Sequence, residues 1–138
     1  MKSVALFGGT GFIGTHLAQH LLRHSLAETI YLVDLHEPRD FSYTQGLMAG
    51  LRSGKVVFVA HDVRQPVPVG LLPKKADVVI NLAAVHREPG HLAHEYFETN
   101  LAGAENVCAW ASQVGCEMVI FTSSISPSAR PTPSAKCV

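Results

Sequence analysis

The sequence predicts an α/β fold with a doubly wound parallel sheet of about five strands in the order 3-2-1-4-5. Short apolar runs alternate with amphipathic stretches along the chain, as expected when strands alternate with helices. The apolar runs are unbroken, which is typical of parallel strands covered on both faces. A glycine-rich turn follows the first run, and right-handed crossovers then favour the doubly wound arrangement.

Five apolar runs predict the strands, in chain order: Val4–Phe7, Ile30–Val33, Val56–Val59, Val78–Ile80 and Met118–Phe121. The first helix is predicted after the glycine turn, since apolar residues recur there at helical spacing. A short helix is predicted from Tyr43 to Leu51 and a long one from His91 to Val114, ended by Gly115. The long helix is expected to bury one apolar face: Phe97, Leu101, Ala104, Val107, Cys108 and Ala111.

The turn Gly8-Gly9-Thr10-Gly11-Phe12-Ile13-Gly14 is suited to a dinucleotide. It leaves backbone N–H groups unpaired at a helix N-terminus, where the helix dipole favours a diphosphate, and glycine lets a ligand approach the backbone closely. The second strand ends at Asp34, 20 residues beyond Gly14. A carboxylate there binds ribose hydroxyls and repels a 2′-phosphate, which favours NAD over NADP, although Arg39 is close enough to weaken that preference. A glycine turn without a ligand is the alternative interpretation.

The spacing Gly8-x-x-Gly11-x-x-Gly14 resembles the short-chain dehydrogenase/reductase superfamily, in particular its extended epimerase/dehydratase branch. Later segments match that branch in its order, up to about Ser126. These segments are Asp62-Val63, Asn81-Leu82-Ala83-Ala84, Asn100 and Thr122-Ser123-Ser124. The resemblance implies a Rossmann-like domain with NAD as its cofactor and a nucleotide sugar as the substrate of the full-length family.

The resemblance also implies roles for particular residues. Asp62 and Val63 would contact the adenine ring, although an aspartate that begins a turn fits the sequence nearly as well. Asn100 would support the active-site geometry, with a structural hydrogen bond as the alternative. Ser123 and Ser124 would lie beside the nicotinamide, and Ser124 is the closer match to the catalytic serine or threonine that hydrogen-bonds the reacting substrate group.

The fourth predicted strand is followed by further candidate residues. Leu82, Ala83 and Ala84 would let a cofactor lie across the backbone, because the two alanines are small, or the alanines would simply pack in the core. In the next loop, Arg87 is either a phosphate contact or a solvated charge.

The family's Tyr-x-x-x-Lys pair, in which lysine lowers the pKa of the catalytic tyrosine, is missing. The residues four positions after Tyr31, Tyr43 and Tyr96 are leucine, leucine and asparagine. We therefore expect a fold truncated before the catalytic helix. Residues 1–126 would form the NAD-binding domain, and the Pro/Ser-rich residues 127–138 a flexible tail.

Composition narrows the function classes. The 138-residue chain is 47% hydrophobic with a formal net charge of zero, so nothing suggests a nucleic-acid partner. It has no run of 18 apolar residues for a membrane span, and Met1-Lys2 leads directly into a strand, so we expect a cytoplasmic protein. Three cysteines without metal-type pairing indicate free thiols and no disulfide.

Histidines recur at helical spacing, but we predict no metal site. His16, His20 and His24 lie four residues apart, and His91 and His94 three apart, yet no cysteine or carboxylate cluster completes either set. Partly solvated residues at the margin of a helix face are the better interpretation. Trp110 and Tyr96 are expected in the core or an interface.

The sequence thus predicts the cofactor-binding part of an NAD-dependent nucleotide-sugar epimerase or dehydratase, inactive alone. In that family, hydride passes between the sugar and the nicotinamide. A non-catalytic dinucleotide-binding or redox-sensing module is the alternative. The long helix, residues 91–114, is a candidate surface for pairing with another chain, including a homo-oligomer.

Overall fold

A computed structural model describes residues 3–85 and 92–123 of the chain. The strands in this part are β1 (Ser3–Phe7), β2 (Thr29–Asp34), β3 (Val56–Ala60), β4 (Val78–Asn81) and β5 (Met118–Phe121). They form one parallel sheet in the order β3-β2-β1-β4-β5, which confirms the predicted order. The tail predicted over residues 127–138 lies outside the described residues.

Helical segments connect these strands. They are α1 (Phe12–Arg23), a 3-10 turn (Ser42–Thr44) that leads into α2 (Gln45–Arg52), α3 (Ala93–Phe97), a π-helical segment (Glu98–Ala102) and α4 (Gly103–Gln113). The short helix predicted between β2 and β3 is therefore present. None of the helices in the described ranges is long and apolar enough to cross a bilayer.

Apolar side chains fill both faces of the sheet. On one face, α1 and α2 pack through Leu21 and Leu47 against strand residues such as Leu32. On the other face, Trp110 of α4 packs against Phe7, with ring centroids 5.5 Å apart. Because strand side chains alternate between the two faces, the unbroken apolar runs of β1 and β2 supply both cores.

The long predicted helix is present as a helical run from Ala93 to Gln113, but its predicted buried face is partly wrong. Phe97 and Leu101 are 63% and 57% exposed, whereas Val107 and Trp110 are buried. Cys108 is also exposed. The buried face keeps regular helical spacing but lies about one residue from the predicted one, through the half-buried Asn100 and the buried Gly103 and Val107. The prediction followed apolar side chains alone and so missed the asparagine and the glycine on this side.

The expectation that every strand is covered on both faces is wrong for β5. All four of its side chains are exposed in the described part of the chain. β5 is the edge strand beside β4, and among the described residues none of its side chains belongs to either apolar core. Its apolar run therefore marks a surface that the described residues leave uncovered.

Candidate dinucleotide-binding site

A cavity of about 550 Å³ lies at the carboxyl ends of the strands. It is bounded by the glycine turn, the tip of β2, the segment after β3 and the loop after β4. Eleven of the residues singled out from the sequence line it: Gly8, Gly11, Phe12, Ile13, Gly14, Asp34, Asp62, Val63, Leu82, Ala83 and Ala84. In an open α/β sheet this is where ligands bind.

The glycines of the turn have different roles. A β-carbon on Gly8 would lie 2.6 Å from the backbone nitrogen of Ala83, and one on Gly14 would lie 2.6 Å from the carbonyl oxygen of Gly9. Protein backbone fills the space beside these two glycines. A β-carbon on Gly11 would meet only the Gly8 carbonyl oxygen, at 3.3 Å, and Gly11 lines the cavity. The space beside Gly11 is therefore open to a ligand.

The N-terminus of α1 begins directly after Gly11. The first hydrogen bond of the helix runs from the Thr15 N–H to the Gly11 carbonyl oxygen, at 2.9 Å. The N–H groups of Phe12, Ile13 and Gly14 consequently have no acceptor within the helix. No acidic side chain lies in the first turn. This end of the helix carries the partial positive charge and the donors that a diphosphate needs.

Asp34 connects the tip of β2 to the glycine turn. Its Oδ2 accepts a hydrogen bond from the Thr10 N–H at 3.0 Å, and its Oδ1 accepts one from the Leu35 N–H at 2.8 Å. A carboxylate has about four acceptor positions, so ribose hydroxyls can still bind it. Thr10 and Asp34 also line an adjoining cavity of about 360 Å³, together with Arg39.

Asp62 forms an ion pair with Arg64 at the β3 end of the cavity. The Arg64 Nη2 lies 2.6 Å from the Asp62 Oδ2. The hydrogen bond from the Arg64 guanidinium holds the pKa of Asp62 below its ordinary value, and the carboxylate in turn raises the pKa of Arg64. The intervening Val63 is buried, and its carbonyl oxygen accepts a hydrogen bond from the Asn106 side chain at 2.9 Å. The segment after β3 is thus fixed by side chains.

Asn100, in the π segment, acts on the cavity indirectly. Its Nδ2 donates to the Val85 carbonyl oxygen at 3.1 Å, and its Oδ1 accepts from the Val85 N–H at 2.8 Å. Val85 lines the cavity, whereas Asn100 does not. The amide therefore holds the loop after β4 in place.

The remaining predicted site residues are not brought to the cavity by the described structure. Ser123 is exposed and follows β5 by two residues. Arg87 and Ser124 lie outside the described residues. Among the residues that are described, no group of three or more histidine, cysteine or acidic side chains is placed to hold a metal ion.

Several cavity-lining residues were not singled out from the sequence, among them His61, Arg64, Val85, Glu95 and Thr99. The Asp62-x-Arg64 spacing carried a signal, because a strand end followed by a turn lets such a pair meet. The sequence indicates His61 as a site residue less clearly, since a lone histidine has many roles. Its Nε2 is buried and has no hydrogen-bond partner among the described residues.

The fold and the cavity together define a nucleotide-binding doubly wound α/β domain. The chain belongs to the NAD-dependent epimerase/dehydratase family, whose sequence profile matches residues 4–136. It is 29% identical over 128 residues to UDP-glucose 4-epimerase 3 of Oryza sativa subsp. japonica, covering 88% of this chain and 34% of that protein.

Solved structures share the fold. A crystal structure of a UDP-galactose 4-epimerase matches with a TM-score of 0.70 and 25% identity, over 90% of this chain and 39% of the other. A UDP-glucuronic acid 4-epimerase from Bacillus cereus, in complex with NAD, has the same fold, with a TM-score of 0.67 and 24% identity, over 90% and 40%. The chain thus spans about a third of the length of the rice relative and about two fifths of these structures.

Proposed function

We propose that this chain is the cofactor-binding part of an NAD-dependent nucleotide-sugar epimerase or dehydratase. Membership of the family and the relatives' names support a sugar nucleotide as the substrate class. NAD, when bound, supplies the group that accepts and returns hydride. The residues of this chain bind and orient it.

We assign the predicted site residues to successive parts of NAD. The N–H groups at the start of α1 would bind the diphosphate, and Asp34 would bind the adenosine ribose. Asp62 and Val63 would contact the adenine, while Leu82, Ala83 and Ala84 would lie under the other half of the cofactor. Arg87 would contact a phosphate, and Ser123 and Ser124 would lie near the nicotinamide, with Ser124 orienting the substrate hydroxyl. Asn100 would act through Val85.

The open space beside Gly11 is the observation that carries this proposal. A valine there would occupy the space needed by the diphosphate, while the one close neighbour found among the described residues is the Gly8 carbonyl oxygen. Gly70 provides a matched control, since a β-carbon there would meet nothing within 4 Å and Gly70 does not line the cavity.

Calorimetric titration with NAD tests the assignment. Gly11→Val should abolish NAD binding while the circular dichroism spectrum stays native, and Gly70→Val should bind like the unmodified chain. Full NAD affinity in Gly11→Val would show that the turn does not hold the diphosphate.

A non-catalytic dinucleotide-binding or redox-sensing module is the second candidate. The absence of a Tyr-x-x-x-Lys pair from the 138 residues favours it over catalysis by this chain alone. We also propose residues 1–126 as the binding domain and 127–138 as a tail. A reducing compartment such as the cytoplasm fits the three cysteines.

Pairing with another chain, including a second copy, is proposed through the long helical run. Leu92, Phe97 and Leu101 are all more than half exposed along it. Phe97→Ser should lower the mass measured by light scattering if these side chains hold a dimer. A monomeric mass for the unmodified chain at high concentration would contradict this part of the proposal.

A further inference from the structure

Arg64 contacts both carboxylate oxygens of Asp62. Its Nε lies 3.0 Å from Oδ1 and 3.0 Å from Oδ2, and its Nη2 lies 2.6 Å from Oδ2. The backbone N–H of Arg64 also donates to Oδ1, at 3.0 Å. A planar guanidinium that bonds both oxygens restricts rotation of the carboxylate. Asp62 is therefore held in one orientation at the cavity wall.

Because Arg64 restricts its rotation, the Asp62 carboxylate accepts hydrogen bonds from a fixed direction. An ionised aspartate has no proton to donate, so toward a ligand it acts as an acceptor alone. The hydrogen bond from the Arg64 guanidinium lowers the pKa of Asp62, which favours the ionised carboxylate when a ligand packs beside it.

A dinucleotide placed as proposed above would direct its base toward this pair. With the diphosphate at α1 and the ribose at Asp34, the base extends toward β3, which is the neighbour of β2 in the sheet. Adenine presents a donor at position 6 and an acceptor at position 1. Hypoxanthine reverses both, with an oxygen at position 6 and an N–H at position 1.

We propose that Arg64 is a positioning residue that makes this site select 6-aminopurine over 6-oxopurine dinucleotides. The hydrogen-bond donor of the base lies at position 6 in a 6-aminopurine and at position 1 in a 6-oxopurine. Arg64 prevents the Asp62 carboxylate from turning from the first position to the second. A site built around a fixed hydrogen-bonding group discriminates more strongly than one that can rearrange. This inference rests on the proposed function, because it requires the dinucleotide to occupy this cavity.

The test compares the dissociation constants of NAD and nicotinamide hypoxanthine dinucleotide. The unmodified chain should prefer NAD by about tenfold, the size expected for a charged hydrogen bond near the surface. Arg64→Leu should reduce that ratio to about threefold or less, because the freed carboxylate can turn toward the N–H at position 1. Arg64→Lys, which keeps the charge without the planar fork, should restore part of the ratio. Arg52→Leu, on α2 and away from the cavity, should leave the ratio unchanged.

The outcomes separate the two proposals. Equal loss of affinity for both dinucleotides in Arg64→Leu, with an unchanged ratio, would reduce Arg64 to a structural residue and overturn the inference. Equal binding of both dinucleotides by the unmodified chain would also overturn it while leaving the NAD site intact. Binding of neither by the unmodified chain would overturn the proposed function itself and this inference with it.

Discussion

Asn100 and Val85 are joined by two hydrogen bonds, in which the side-chain amide satisfies both the N–H and the carbonyl oxygen of the Val85 backbone. Asn100 lies in the π segment, and Val85 lies in the loop that follows β4. The polar side chain that interrupts the apolar pattern of the long helix therefore has a specific partner, which fixes one wall of the cavity.

Asn100→Ala should weaken NAD binding by about tenfold, because it leaves the Val85 backbone groups without their partner and lets the loop move. Calorimetric titration measures the change. Gln113→Ala is the control, since Gln113 is exposed on α4 and does not line the cavity. An equal loss of affinity in the Gln113 and Asn100 variants would contradict the role given to Val85.

Gly14→Val should destabilise the fold by about 1–3 kcal/mol, the usual cost of overpacking. The reason is that its β-carbon would meet the backbone of Gly9, which has little freedom to move. Urea unfolding measures the difference, and Gly11→Val should lose less stability because a β-carbon there meets one carbonyl oxygen at 3.3 Å and not a wall of backbone at 2.6–2.7 Å. Equal losses in both variants would show that the turn is packed differently.

The unmodified chain should bind NAD more tightly than NADP. A 2′-phosphate would lie near the Asp34 carboxylate and be repelled by it. Asp34→Ala should reduce the difference in affinity between NAD and NADP, because it removes both the ribose hydrogen bonds and this repulsion. Arg39 lines the same adjoining cavity, where its positive charge would favour a 2′-phosphate, so Arg39→Leu should increase the preference for NAD over NADP. Titration with both nucleotides measures each ratio. Equal or tighter NADP binding by the unmodified chain would refute this preference.

Stability should fall at alkaline pH through Tyr31. Burial in β2 raises the pKa of its hydroxyl above the ordinary value of about 10, so the unfolded chain ionises before the folded one. The stability is present in full below pH 10 or so and is lost as the pH rises through the raised pKa. The free energy of unfolding of Tyr31→Phe, measured in urea, should fall less steeply with rising pH than that of the unmodified chain. A slope identical to that of the unmodified chain would exclude Tyr31 as the cause.

The strand order and the glycine turn could be predicted from the sequence because their signals are local. Unbroken apolar runs mark the strands, and Gly8 to Gly14 mark the turn. The buried face of the long helix was predicted about one residue out of phase, because the apolar Phe97 and Leu101 lie on its exposed side. Asn100 and Gly103, which a search for apolar spacing passes over, lie on its less exposed side. The pairing of Arg64 with Asp62 was not predicted either: the spacing of the two residues allows the contact, but the turn that makes it is set by the fold.

The chain as given should not turn over a nucleotide sugar, even when it binds NAD. No tyrosine in the 138 residues is followed four positions later by the lysine that would lower its pKa, so we expect no group in these residues to take the substrate proton near neutral pH. General acid–base assistance is typically worth about 10²–10⁴ in rate. Coupled epimerase and dehydratase assays over UDP-, GDP- and dTDP-sugars, run beside a full-length family member, measure the activity. Turnover within about a hundredfold of that control would show that the proton-transfer group has been misplaced.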